Sequence, residues 1–225
     1  WAKNAGVSED KISVIENAID LQRFTKYEAK DMHACFKIPE GKKIGVMVGN
    51  LRYAKGLDLL IQACSTYESE DLPYFVIIGE EIEKDYLNFC RNLLRDLELS
   101  ENFLFLGKQK YPISYIKGAD FAVLPSRSES GPLVLIEYLA CGTPFQAFEV
   151  GGISKMVKEH MPDSFAPPGN VEEFSKMFTK LLALPKTEIE RLKDKQIQLA
   201  EMLFDIKNRI PMIIGIYEDI LEKTI

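Results

Sequence analysis

Two glutamates eight positions apart, Glu129 and Glu137, flank a Ser-Gly-Pro turn and an apolar run within SRSESGPLVLIEYLACGTPFQAFEVGG, residues 126–152. Glu137 follows Leu133, Val134, Leu135 and Ile136 and precedes Tyr138, Leu139 and Ala140, so it stands on a helix that is apolar on most sides and expected to be largely buried. Burying a carboxylate is costly unless a partner or ligand meets it, which makes Glu137 a candidate for binding; a structurally paired or solvated glutamate is the plainer alternative. The helix is expected to start at Pro132, because proline is favoured at a first helical position, where its missing N–H is no loss. A second candidate is Gly49-Asn50-Leu51-Arg52-Tyr53-Ala54-Lys55-Gly56, a glycine-flanked loop that carries two cations, Arg52 and Lys55, into a helix start. Free N–H groups, the positive end of the helix dipole and charge-assisted hydrogen bonds would suit a phosphate, although Lys-Gly at a helix start is also ordinary surface punctuation. The pair Gly151-Gly152 would let backbone approach the same ligand, or would simply turn a strand into a helix.

The 225 residues are 46% apolar and 28% charged, the balance of a soluble globular chain long enough for one large domain or two small ones. A net charge of −6 without a basic stripe argues against nucleic acid as a partner. Cys35, Cys64, Cys90 and Cys141 lie far apart, with no Cys-x-x-Cys pair and no histidine cluster at zinc spacing. They are expected to be reduced thiols, several in core positions, in a cytoplasmic protein, and no metal site is expected. No apolar run approaches the ~20 residues that span a bilayer. His33 and His160 fall outside the candidate loops and are expected at the surface or in packing, as are Glu80 and Glu81 in a charged loop. The start at Trp1, close to strand-like sequence, suggests part of a longer polypeptide.

The elements that must position these groups alternate as in a βαβ protein with a parallel sheet. Strands are expected at Lys43–Gly49, Tyr74–Gly79, Phe103–Gly107, Phe121–Pro125 and Pro144–Phe148, with a weaker one at Ser164–Ala166. Helices are expected at Gly56–Thr66, Glu83–Leu97, Tyr111–Lys117, Leu133–Cys141, Ser154–Glu159 and Val171–Ala183. The first 25 residues suggest a short strand and loop, an interdomain lead-in, followed by helix around Lys26–Phe36. Beyond Pro185 the pattern is helical to the end, with Pro211 expected to break or kink it. If the strand order is 3-2-1-4-5-6, the ligand crevice lies between the first and fourth strands, at the loops Gly49–Lys55 and Ser126–Gly131. Neither a Gly-x-Gly-x-x-Gly fingerprint nor a P-loop is present, which disfavours nicotinamide and P-loop nucleotides.

Taken together, NAIDLQRF, VGNLRYAKGLDLLIQA, FLG, ADFAVLPSRSESGPLVLIEYLACGTP and VGG resemble the carboxy-terminal, donor-binding domain of retaining GT-B glycosyltransferases, the group typified by glycosyltransferase family 4. The likeness covers residues 5 to 185 and implies a Rossmann-like, doubly wound α/β domain, here with extra carboxy-terminal helices over 186–225. In that family a Glu-x7-Glu pair places the first glutamate near the donor sugar and the second on the ribose hydroxyls, roles that fall to Glu129 and Glu137. The family's diphosphate-binding lysine corresponds to Lys55. Its arginine five residues earlier is replaced by Asn50, next to Gly49, and Arg52 is the available substitute. Pro132 has no N–H, which leaves Ser130, Gly131 and Leu133 as backbone donors; Gly151 and Gly152 approach the donor, and Lys108 lies near the base.

The resemblance implies a hexosyltransferase acting in polysaccharide or glycoconjugate assembly, with retention, no divalent metal and no cofactor beyond the nucleotide-diphosphate sugar itself. Its acceptor would be held by an amino-terminal domain that this chain lacks, and peripheral membrane association of the full enzyme is compatible with the sequence. Cations and helix ends would stabilise the diphosphate leaving group as an oxocarbenium-like sugar forms. Two other readings use the same residues: a GT-B-like sugar-nucleotide epimerase, with carboxylates as acid and base, and a catalytically decayed binding module, suggested by Asn50.

Overall fold

The computed structural model describes residues 3–67 and 72–222. β-Branched and aromatic runs form six strands, β1 (Ile44–Val48), β2 (Tyr74–Ile78), β3 (Phe103–Gly107), β4 (Phe121–Leu124), β5 (Phe145–Phe148) and β6 (Phe165–Ala166). All pair in parallel in the expected order β3-β2-β1-β4-β5-β6. The helices are α1 (Met32–Phe36), α2 (Leu57–Ser65), α3 (Lys84–Asp96), α4 (Pro112–Gly118), α5 (Leu133–Ala140), α6 (Gly151–His160), α7 (Val171–Leu182), α8 (Lys186–Phe204) and α9 (Ile206–Glu222).

Alternation along the strands divides the core in two, as expected for a parallel sheet covered on both faces. Val46, Val76, Ala122 and Leu124 pack with Leu135, Ile136 and Leu139 of α5, with Ile153 of α6 and with Leu199 and Ala200 of α8. Met47, Phe75, Ile77, Phe121 and Val123 pack on the other face with Leu60 and Ile61 of α2, Leu87 and Leu94 of α3, and Phe174 and Phe178 of α7. No helix among the described residues is long and apolar enough to cross a membrane.

Several local expectations are corrected. Pro132 is not the first residue of α5 but its cap, extended at φ −69° and ψ 101°, because its carbonyl accepts the first turn's bond from the Leu135 N–H at 3.1 Å. Among its described residues the lead-in holds no strand; it forms 3-10 turns at Lys3–Ala5, Glu9–Lys11 and Leu21–Lys26. The last of these is capped by the Asp20 carboxylate on the Gln22 N–H, and only Ile19 makes a single bridge, to Asp205. Helix does not run through Lys26–Phe36, because Asp31 caps the Ala34 N–H and delays α1 to Met32. α6 begins at Gly151 rather than Ser154, since the left-handed glycine (φ +82°) lets the helix start straight after Val150. Pro211 does not break α9; the break comes earlier, at extended Asp205. There the Ile19 N–H donates to the Phe204 carbonyl and the Ile206 N–H to the Ile19 carbonyl, so the turn is fixed by the lead-in. α9 has no buried residue, and water can take the carbonyl that Pro211 leaves unbonded.

Candidate active site

The strand order reverses between β1 and β4, so the loops leaving these strands face each other at the carboxyl edge of the sheet. Gly56 makes the close approach possible: at φ +68° it turns the chain into α2, and a Cβ there would stand 1.9 Å from the Pro125 carbonyl oxygen. Backbone bonds then join the loops, with the Arg127 N–H donating to the Ala54 carbonyl at 2.8 Å and the Ser128 N–H to the same oxygen at 3.4 Å.

This brings Lys55 to Glu129. Lys55 Nζ donates to Glu129 Oε1 at 2.6 Å, and Ser126 Oγ donates to the same oxygen at 2.6 Å. The two side chains are only 14% and 8% exposed, so the pair is largely dry. The aliphatic stem of Lys55 lies along Gly49, its Cε 3.5 Å from where a Cβ would stand. Beneath the pair, Tyr138 is fully buried; its hydroxyl accepts from the Val48 N–H at 3.1 Å and donates to the Val123 carbonyl at 3.3 Å. One side chain thus ties α5 to the ends of both strands that flank the crevice.

Glu137 is the neighbour of that tyrosine. Burial raises its carboxyl above the usual carboxylate range, and the field of Arg23 opposes this only in part. It makes no hydrogen bond or ion pair among the described residues, so the partner expected from its apolar surroundings is not supplied by them. The N–H groups of Ser130, Gly131 and Leu133 likewise donate to no acceptor among the described residues, which leaves the start of α5 open to an anion. Gly151 packs on Glu129, a Cβ there standing 2.8 Å from the Glu129 carbonyl oxygen; at Gly152 a Cβ would stand 2.7 Å from Glu16 Oε1. Gly151 needs to be glycine, for its left-handed φ and for the close backbone approach; at Gly152 the Glu16 carboxylate could swing aside.

The structure therefore gathers Gly49, Lys55, Glu129, Gly131, Gly151 and Gly152 around one point and sets Glu137 and Leu133 on the helix that starts there. Asn50 and Arg52 are exposed and make no side-chain hydrogen bond among the described residues, as does Ser130. Lys108, expected near the base, follows β3 and pairs at the surface with Glu80, 3.3 Å away, whose carbonyl accepts from the Leu51 N–H of the loop after β1 at 2.7 Å. Sequence reasoning missed Ser126 and Tyr138, although a polar-tipped aromatic beside Glu137 on an apolar helix was a signal. It also missed Asn17, whose Nδ2 donates to the Gly131 carbonyl at 2.9 Å, and Glu16; partners 114 positions apart leave no local trace. Among the described residues no group of three or more His, Cys, Asp or Glu side chains could hold a metal ion. A cavity of about 810 Å³ bounded by Gln146, Met177, Lys180 and Arg191 shares no residue with this cluster.

Comparison with known proteins places this geometry in context. Residues 28–198 match the family of glycosyl transferases group 1. N-acetyl-alpha-D-glucosaminyl L-malate synthase of Bacillus anthracis is 30% identical over 149 residues, covering 65% of this chain and 38% of its own. A glycosyltransferase of Rickettsia africae superposes with a TM-score of 0.86 at 20% identity, over 98% of this chain and 60% of its own. Anabaena HepE, solved in complex with UDP, superposes with a TM-score of 0.84 at 18% identity, over 96% of this chain and 60% of its own. The chain thus spans less than half the length of the first curated relative and little more than half of these solved chains.

Proposed function

Because the chain belongs to the glycosyl transferases of group 1, we propose that it is the donor-binding domain of a retaining GT-B enzyme and holds a nucleotide-diphosphate sugar between the loops after β1 and β4. The observation that carries this reading is the convergence of Lys55 and Glu129, 74 positions apart in the chain, on the loop that leads into α5. Lys55 and the free N–H groups of Ser130, Gly131 and Leu133 suit the diphosphate. The Glu137 carboxylate, partly buried and without a protein partner among the described residues, can accept two hydrogen bonds at once from a ribose diol.

Chemistry follows from these assignments. As the glycosyl–phosphate bond breaks, its electron pair goes to the departing phosphate oxygen, and Lys55 and the α5 N–H groups are placed to stabilise that charge. Glu129, on the sugar side, would lie near the positively charged oxocarbenium-like ring. Arg52, free at the loop tip, is the cation available to compensate for Asn50. The acceptor would be held by an amino-terminal domain of the longer protein, and α9, with exposed Ile210, Ile213, Ile214 and Tyr217, is the surface we assign to covering it. HepE, with UDP bound, and the B. anthracis synthase support the donor class and the transferase reading.

Calorimetric titration of the chain with UDP, GDP and their sugars, against Lys55→Ala and Glu137→Ala, tests the reading. Binding by the wild type and measurably weaker binding by both variants is expected. A folded wild type that binds no nucleotide at millimolar ligand would overturn it and favour the decayed-module alternative that Asn50 suggests. Interconversion of a free sugar nucleotide without acceptor would favour an epimerase.

A further inference from the structure

Arg127 lies two residues before Glu129, and Asp58 three residues after Lys55. Their side chains form a bidentate pair, Arg127 Nη1 to Asp58 Oδ1 at 2.7 Å and Nη2 to Oδ2 at 2.5 Å, with Asp58 only 5% exposed. Arg127 Nη1 also donates to the Tyr53 carbonyl at 3.0 Å, and its guanidinium stacks 4.0 Å from the centre of the Tyr53 ring. The Tyr86 hydroxyl donates to Asp58 Oδ1 at 2.6 Å and accepts from the Asp58 N–H at 3.1 Å, while its ring meets Tyr53 edge-on at 5.8 Å. Burial pushes the Asp58 carboxyl up, but the bonds from Arg127 and Tyr86 outweigh it and hold the group below its ordinary value, so the pair stays ionised.

None of these bonds is made within one loop. The 53–55 turn, the start of α2, α3 and the loop after β4 meet in this network, and Glu129 is carried by the last of them. A guanidinium fork fixes both distance and orientation, which a single point contact does not. A buried ion pair is a poor source of net stability, because apolar residues of similar volume often serve as well. Its use here is better explained by geometry.

We propose that Arg127 is a positioning residue of the donor site: through Asp58 and Tyr53 it locks the loop after β4 onto the loop after β1 and so holds Lys55 beside the start of α5, where it can meet a diphosphate. Arg127 itself is committed to protein partners, both Nη atoms to the Asp58 carboxylate and one of them also to the Tyr53 carbonyl. The proposal rests on the donor-binding reading for its functional half, whereas its geometric half is read without a donor.

Arg127→Ala would leave Asp58 buried and unpaired and is expected to unfold the region, so the informative variants are Arg127→Met with Asp58→Leu, and Arg127→Lys. Three measurements are made on this chain: the ammonium signal of Lys55 in proton–nitrogen spectra, the calorimetric affinity for UDP, and the same affinity in a Lys55→Ala background. In the folded double variant the Lys55 ammonium should lose its protection from solvent exchange, and UDP should bind about tenfold more weakly. The double change should add nothing in the Lys55→Ala background, because it acts through Lys55. Arg127→Lys, which keeps the charge without the fork, should fall between. A folded double variant with the wild-type ammonium signal and wild-type affinity overturns the proposal, and so does a full additional loss in the Lys55→Ala background. Should the double variant not fold, Arg127→Lys decides alone: an unchanged ammonium signal overturns the clamp, and a weakened one supports it. If the wild type binds no UDP, the donor reading fails while the ammonium signal still tests the clamp.

Discussion

Lys55 Nζ and Glu129 Oε1 lie 2.6 Å apart in a nearly dry crevice, so the cation assigned to the donor diphosphate already has a counter-ion. A diphosphate must compete with that carboxylate for the ammonium. In Glu129→Gln the amide can still accept from Ser126 and Lys55, but the negative charge is gone. Affinity of this chain for UDP is therefore expected to rise severalfold, while transfer by the longer protein falls if Glu129 serves the sugar. Unchanged or weaker UDP binding by calorimetry would show that Glu129 does not compete for Lys55.

Gly56 carries the approach of the two loops. Its φ of +68° is strained for any side chain, and a Cβ would lie 1.9 Å from a backbone oxygen that cannot swing away. Gly56→Ala is expected to cost about 2–4 kcal/mol in urea unfolding, from backbone strain and overpacking together, and to weaken UDP binding by moving Lys55 away from the start of α5. A variant as stable as the wild type would mean that the turn relaxes more easily than its contacts imply.

The candidate site was legible where chemistry is concentrated in short segments. Lys55 beside Gly56, and Glu137 within LVLIEYLA, could be picked out because a cation at a helix start and a carboxylate among apolar residues are each locally anomalous. The parallel sheet followed from the alternation of elements, while the order 3-2-1-4-5-6 entered only as a condition, which the structure meets. What escaped was whatever depends on distant partners. Arg127 and Asp58 are 69 positions apart, and each looks like an ordinary surface charge until the fold joins them. Pro132 was misplaced by one position because proline suits a cap as well as a first turn. Pro211 was overrated because the pattern does not show that α9 faces solvent, where a lost backbone bond costs less.

Tyr138 joins α5 to β1 and β4 through one hydroxyl. In Tyr138→Phe the Val48 N–H loses an acceptor carried on a fully buried side chain, and a buried donor costs about 1–3 kcal/mol when left unpaired. Urea unfolding should report a loss of that size with an unchanged slope. A loss below about 0.5 kcal/mol would mean that the N–H finds another partner.

Glu137 should trade stability against binding. Its folded carboxyl is raised above the ordinary value of 4.5, so the folded chain holds the proton more tightly than the unfolded one. The stability this lends is present below pH 4.5 and is lost as pH rises through the raised folded value. Glu137→Gln removes that loss, so the variant should melt a few degrees higher than the wild type at pH 7 and differ least near pH 4, with the gap opening between the two. The same substitution takes away the acceptor pair assigned to the ribose. The wild type should prefer UDP to 2′-deoxy-UDP, and the variant should bind the two alike. Melting curves that stay parallel across pH would sink the burial argument. A preference for the ribonucleotide that survives in the variant would sink the ribose assignment, and each result stands without the other.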